Sequence, residues 1–309
     1  MVGCEINFES RVVDFGVKNN AIQSIRLQNG TEMPANRVIL ATGHSALDIY
    51  YLLDEKKVAI KAKSFAMGVR VEHPQQIIDS IQYHCDGERD ESLPAAAYSL
   101  VQQVNERGVY SFCMCPGGFI VPAATANGEV VVNGMSPSKR NNAFANSGIV
   151  VEINVDRDIP KLEKHGALKG LEYQKSLEKL AFTAGGKSQT APAQRLTDFV
   201  EGKLSNDLNP TSYQPGLKSS PLHSLLPKFI GSRLRKGFAA FGQKMHGYYT
   251  EEANIVGVES RTSSPVNIPR NENLEHIEVK GLFPCGEGGG YAGGIVSAAM
   301  DGERCAEAA

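Results

Sequence analysis

No run of apolar residues in this 309-residue chain reaches the roughly 18 positions that a membrane-spanning helix needs. The opening residues, MVGCEINFESRVVDF, lack a basic segment followed by an apolar one, so no signal peptide is visible and a cytoplasmic location is the default expectation. Charge of one sign is also missing. The 32 basic and 34 acidic residues leave a formal net charge of -2, which argues against a nucleic-acid surface or an acidic tail. Cysteine is sparse: Cys4, Cys85, Cys113, Cys115, Cys285 and Cys305 are scattered, and none forms a C-x-x-C pair. That spacing excludes a disulfide scaffold and speaks against a structural zinc site, so no metal is expected.

What is present is the composition of a soluble globular protein, 41% hydrophobic and 21% charged, at a length that suits one large domain or two ordinary ones. The first forty residues read as a β-meander. Cys4 to Phe8, Arg11 to Val17 and Ala21 to Leu27 are short strand candidates, Asn19-Asn20 suits a tight turn, and Asn29-Gly30 is the strongest hairpin signal. RVILA at 37–41 reads as a strand buried on both faces, ending at Thr42-Gly43-His44. From Lys61 to about Ser260, strands alternate with Gly/Pro turns. Gly170 to Phe182 has Leu171, Leu177, Leu180 and Ala181 at helical spacing and reads as a helix. Gln189 to Pro227 is rich in Pro, Ser, Asn and Gly and is expected to be a long irregular connection with short helices.

The last stretch returns to α/β grammar: a strand candidate from His276 to Pro284, a glycine loop, and a helix from Ile295 to Ala308. A helix N-terminus behind a glycine loop points backbone N–H groups at an anion or a polar ring. Gly288, Gly290 and Gly293 formally satisfy G-x-G-x-x-G. A dinucleotide fingerprint also needs a second strand with an acidic residue about 20 positions onward. Here a single helix reaches Ala309, so the fingerprint reading fails.

Longer strings carry a resemblance. ILATGHSALD, SFAMGVRVEHPQ, YSFCMCPGG, VVNGMS, ESRTSSPVNI and GEGGGYAGGIVSAAMDG together resemble the bacterial FAD-dependent dehydrogenases of the glutathione-reductase-type flavoprotein superfamily, along nearly the whole chain. The resemblance implies α/β plus α+β architecture: the C-terminal part of a Rossmann-like FAD/NAD(P)-binding domain at 1–60 and 264–309, with a large inserted α+β substrate domain at 61–263. It implies an oxidoreductase using FAD, hydride transfer through flavin N5, a small-molecule substrate, and an electron donor such as NAD(P)H. Family members open with a strand–GxGxxG–helix unit that holds the FAD pyrophosphate. This sequence begins at the strand that follows, so the expectation is a truncated flavoprotein that binds FAD poorly by itself, whether or not Met1 is its natural start. A non-catalytic scaffold is the alternative.

Residue roles follow from the resemblance. Gly286 and Glu287 would approach the ribityl and pyrophosphate side. Ala292, Gly293 and Gly294 would lie along the flavin N1–C2=O edge, where a helix N-terminus is worth roughly 0.3–2 kcal/mol to an anion. Ala41, Thr42 and Gly43 would pack near the cofactor, and Val12 and Val13 would offer backbone hydrogen bonds to adenine or simply fill a strand core. Tyr291 suits ring stacking or loop packing. Cys113 and Cys115 are candidate redox thiols or small buried hydrophobes. In GVRVEHP, Arg70 and Glu72 share a strand face with His73 opposite. They read either as anion-binding and acid/base groups or as a solvated face. Arg261 could grip a carboxylate or phosphate, or bridge two domains.

Overall fold

The computed structural model describes residues 3–309, so Met1 and Val2, where the flavin-binding part was expected to start, lie outside the described residues. The chain has a mixed α/β fold and divides into two compact units. One comprises Met1–Ser64, Val155–Glu172 and Ser263–Ala309; the other comprises Phe65–Asn154 and Tyr173–Thr262. Residues 155–172, read from sequence as part of the inserted segment, pack with the first unit.

In the first unit Val12–Lys18, Ala21–Leu27 and Glu32–Pro34 form an antiparallel meander. Asn19 and Asn20 both have positive φ, 52° and 58°, the pair of left-handed residues that a two-residue hairpin of matching twist requires. Phe15 and Ile22 turn inward to join Leu40, Ile49, Tyr50, Leu53, Val266 and Leu282 in one apolar core. Two expectations need correction. Residues 4–8 form no strand and are exposed, so Ile6 and Phe8 have nothing to pair their apolar pattern with. The 37–41 run contributes only Val38–Leu40, which pairs in parallel with Leu282–Pro284 as a two-stranded sheet. It is not buried on both faces, for Ile39 is 39% exposed. The expected strand at 276–284 is likewise shortened to Leu282–Pro284, because Gly281 at φ 78° turns the chain immediately before it.

The second unit is built on a seven-stranded sheet. In spatial order its strands are Leu217–Ser219, Ala191–Arg195, Asn254–Glu259, Phe65–Pro74, Phe144–Ile153, Arg107–Cys115 and Val101–Val104. All pairs are antiparallel except Ala191–Arg195 with Leu217–Ser219. Phe65–Pro74 sits in the middle and is buried through residue 73, which explains why SFAMGVRV reads as nearly continuous apolar sequence. The 189–227 segment is more regular than its composition suggests. Ala191–Arg195 is laced to strands on both sides, and this pairing outweighs its weak intrinsic strand propensity. The helix expected at 170–182 spans Lys169–Ala184. Among the described residues no helix is long and apolar enough to cross a membrane.

Candidate functional site

Parallel pairing of Val38–Leu40 with Leu282–Pro284 brings the carboxyl ends of two strands side by side. In α/β sheets, ligands bind outside such ends. From one end leaves the turn 41–43, from the other the loop 285–294. The two are stitched together: the Cys285 N–H donates to the Leu40 carbonyl at 3.0 Å, and His44 Nδ1 lies 3.0 Å from Glu287 Oε1. The Tyr50 hydroxyl donates to the Gly288 carbonyl at 2.8 Å and lies 3.0 Å from Ser264 Oγ. Burial pushes its pKa up to about 12, so it stays a neutral donor. Lys63 Nζ donates to the Gly290 carbonyl at 2.7 Å, and Asn267 Nδ2 to that of Gly289 at 3.0 Å. Burial lowers the Lys63 pKa, and the charge of Glu287 opposes that shift.

The loop glycines divide into two groups. Gly286 and Gly290 have φ of 66° and 86°, a region that L side chains rarely adopt. A Cβ on Gly288 would stand 2.7 Å from the Gly43 carbonyl oxygen. These three are needed to build the turn. Gly293 and Gly294 are not: a Cβ at Gly293 would meet nothing within 4 Å, one at Gly294 would only touch Ser297 Oγ at 4.0 Å, and neither φ is left-handed. Both are exposed. They precede the helix Ile295–Ala308, whose N-cap is Gly294 with no side-chain cap. The Gly293 N–H reaches Ser297 Oγ only at 3.3 Å. The first turn beyond is bare, with Ile295 92% and Val296 74% exposed.

An ion-paired hub that sequence reading missed holds this loop from behind. Arg270 pairs with Asp301 through Nη2–Oδ1 at 2.6 Å and Nη1–Oδ2 at 3.0 Å, and its guanidinium lies 3.7 Å from the centre of the Tyr291 ring. Asp301 Oδ2 also accepts the Gly286 N–H at 2.7 Å. The hydrogen bond from Arg270 holds the Asp301 carboxyl below its ordinary range. The Tyr291 hydroxyl donates to the Ile268 carbonyl and accepts the Arg270 N–H. These contacts hold Tyr291 within the loop. Ala292 is buried beside it. Ala41 and Thr42 are exposed at the strand end, whereas Val12 and Val13 lie on the meander, Val12 against the core and Val13 exposed. Nothing in the local sequence marks Arg270, Asp301, Tyr50 or Lys63, since their roles come from residues distant in the chain.

The remaining candidates lie in the second unit. Arg70 is fully buried and pairs with Glu259 at 2.8 and 3.0 Å, with Nη1 also donating to Asn146 Oδ1 at 2.7 Å. Gly134 leaves room for the guanidinium, since a Cβ there would lie 2.1 Å from Nη1. Glu72 is held by Thr211 and Ser212, and burial raises its pKa. His73 is 0% exposed and its Nε2 bonds the Tyr248 carbonyl at 2.8 Å; burial lowers its pKa to about 4. The solvated-face alternative thus fails, because these groups lie in a sheet interior, and the imidazole is buried in its neutral form. Arg261 lies between two buried carboxylates, 2.9 Å from Glu178 and 3.2 Å from Glu129. Its side chain is only 8% exposed, so its charge is neutralised by carboxylates inside this unit. Cys113 and Cys115 are separated by a bulge: Cys113 has φ 46° and is exposed, while Cys115 turns inward and donates to the Cys113 carbonyl at 3.3 Å. Burial raises the Cys115 thiol pKa. A groove of about 480 Å³ lined by Pro74, Gln75, Asp79, Arg89 and Asn142 contains none of the residues singled out from sequence.

Residues 64–262 match the family described as FAD-dependent protein, C-terminal domain-like. This chain belongs to that family. An uncharacterized protein of Clostridium beijerinckii is 41% identical over 310 residues, 99% of this chain and 57% of that relative, so the chain spans little more than half the relative's length. Two solved structures show weaker likeness. 2,6-Dihydroxypyridine-3-hydroxylase from Arthrobacter nicotinovorans aligns with 97% of this chain and 53% of its own at 10% identity and a TM-score of 0.32. A tetracycline destructase aligns with 54% of this chain and 36% of its own at 11% identity and a TM-score of 0.22. Scores this low carry no argument about fold or activity.

Proposed function

We propose that this chain forms the flavin-facing and substrate-facing part of an FAD-dependent oxidoreductase, with loop 285–294 and turn 41–43 lying along the cofactor. The observation that carries this reading is the pair Gly293 and Gly294. They are exposed, unstrained and sterically free of the protein, so the fold has no need of glycine at either position. Glycine there suits the close approach of a flat partner to the backbone, at an uncapped helix N-terminus that favours negative charge. Bound FAD would supply two-electron chemistry, with hydride transfer through its N5 to or from a small-molecule substrate. The chain's own part is positional. Gly294 and the first helical turn offer N–H groups to the ring edge. Tyr50, Lys63 and Asn267 hold the loop carbonyls inward, and the Arg270–Asp301 pair fixes the loop to its helix. Glu287, steadied by His44, faces the ribityl side.

The 309-residue chain alone is expected to bind FAD weakly, which suits detection by NMR with glycine amides labelled. Added FAD should shift Gly293 and Gly294 in a saturable way, and Gly294→Val should abolish the shifts without unfolding the chain. Shifts confined to other glycines, or none, would point to the scaffold reading. Stoichiometric flavin retained through purification would overturn the expectation of weak binding.

A further inference from the structure

Beneath the glycine loop lie two thiols that the proposed flavin chemistry does not use. Cys285 starts the loop and Cys305 lies on the C-terminal helix; both are buried, at 2% and 0% exposure. Their sulfurs and an Asp301 oxygen all lie within 4.8 Å of one another. Gly302 packs over Cys285, where even an added Cβ would stand at ordinary contact distance, 4.0 Å from the sulfur. Arg270 Nη1 donates to Cys305 Sγ at 3.4 Å, so the guanidinium bonds one thiol of the pair directly and acts on the other only through space. Burial, and next the neighbouring Cys305, push the Cys285 thiol pKa up, which keeps it protonated.

Three ligand-type atoms at this spacing also invite a metal reading. Asp301, however, is already committed to two guanidinium nitrogens and the Gly286 N–H. A metal ion would have to displace Arg270, the cation already in place. The asymmetry of the two thiols fits redox chemistry better.

We propose that Cys285 and Cys305 are a peroxide-oxidisable dithiol whose disulfide ties the glycine loop to the C-terminal helix. Cys305, with its guanidinium donor, reacts first. Its sulfur attacks one peroxide oxygen, the O–O bond breaks, and Cys305 sulfenic acid and one water form. The Cys285 sulfur then attacks the Cys305 sulfur, the S–OH bond breaks, and the hydroxyl leaves with the Cys285 proton as a second water. Two thiols lose two electrons in all, and hydrogen peroxide is reduced to two waters. The oxidant is small enough to enter through local opening of the helix, whose outer face bears exposed Ile295, Val296 and Met300.

The test treats the full chain with hydrogen peroxide, quenches, denatures, alkylates, and maps peptides without reduction. The expected result is one linked peptide pair containing Cys285 and Cys305, a 2 Da mass loss reversed by dithiothreitol, and a higher Tm for the oxidised protein. Cys285→Ser should leave a dimedone-trappable sulfenic acid at Cys305, and Cys113→Ser should change nothing. Should the Cys285 variant fail to fold, the wild-type peptide map still decides. The proposal is overturned if both thiols remain alkylatable after denaturation while exposed Cys113 oxidises. It is equally overturned if the link joins other cysteines, or if purified protein carries one zinc per chain released by blocking this pair.

Discussion

Alanine substitution along the 286–294 loop tests the division between glycines that build the turn and glycines that do not. Gly286→Ala forces an L side chain to φ 66°, at a cost of about 1–2 kcal/mol. Gly290→Ala carries the same backbone penalty and adds a Cβ 3.0 Å from Asn267 Nδ2. Gly288→Ala places its methyl 2.7 Å from a backbone carbonyl that cannot rotate away, and overpacking of this kind costs about 1–3 kcal/mol. Gly293→Ala and Gly294→Ala meet no clash and no positive φ, so the reduced entropy of the unfolded chain makes them neutral or stabilising by about 0.4–1 kcal/mol. The two groups should therefore separate by at least about 1 kcal/mol, well within the reach of equilibrium urea denaturation fitted with as many transitions as the two units require. FAD-induced amide shifts should behave in the opposite sense, with valine at 293 or 294 removing them from a folded protein. If Gly293→Ala or Gly294→Ala destabilises as much as Gly288→Ala, these glycines are structural and the argument for a ligand fails.

Acid should weaken the second unit through His73. Its pKa is about 4 when folded and about 6.5 when unfolded, so the unfolded chain takes up the proton first as pH falls. Stability present at pH 7 is lost from about pH 6.5 down to about pH 4, by about 3 kcal/mol, and His73→Phe should flatten that profile in denaturation measured across the range. Arg261→Met leaves Glu129 and Glu178 buried without their cation and should cost about 3–5 kcal/mol, with partial recovery when both glutamates become glutamine. An unchanged midpoint in the single variant would show that Arg261 does not hold this unit together. Brief alkylation of the native chain should label exposed Cys113 and spare Cys115, read by peptide mass; equal labelling would contradict the bulge that separates them.

Much of the loop unit was legible in sequence because its signals are local. Asn19-Asn20 dictates a hairpin whatever surrounds it, the 295–308 helix carries its own periodicity, and the glycine-rich run between strand and helix announces a turn. The strand expected at 4–8 did not form for the converse reason: apolar residues form a strand only when another strand supplies hydrogen bonds, and here none does.

Side-chain roles divided along the same line. Residue types and spacing determined the Asn19-Asn20 hairpin and the glycine loop, because backbone sterics act over a few residues. Only tertiary structure decided that Arg70, His73 and Arg261 are interior groups, since burial and ion pairing depend on partners up to 189 positions away. It alone brought Gly43 against Gly288 and Arg270 against Asp301, and so separated the glycines the fold requires from the two it does not.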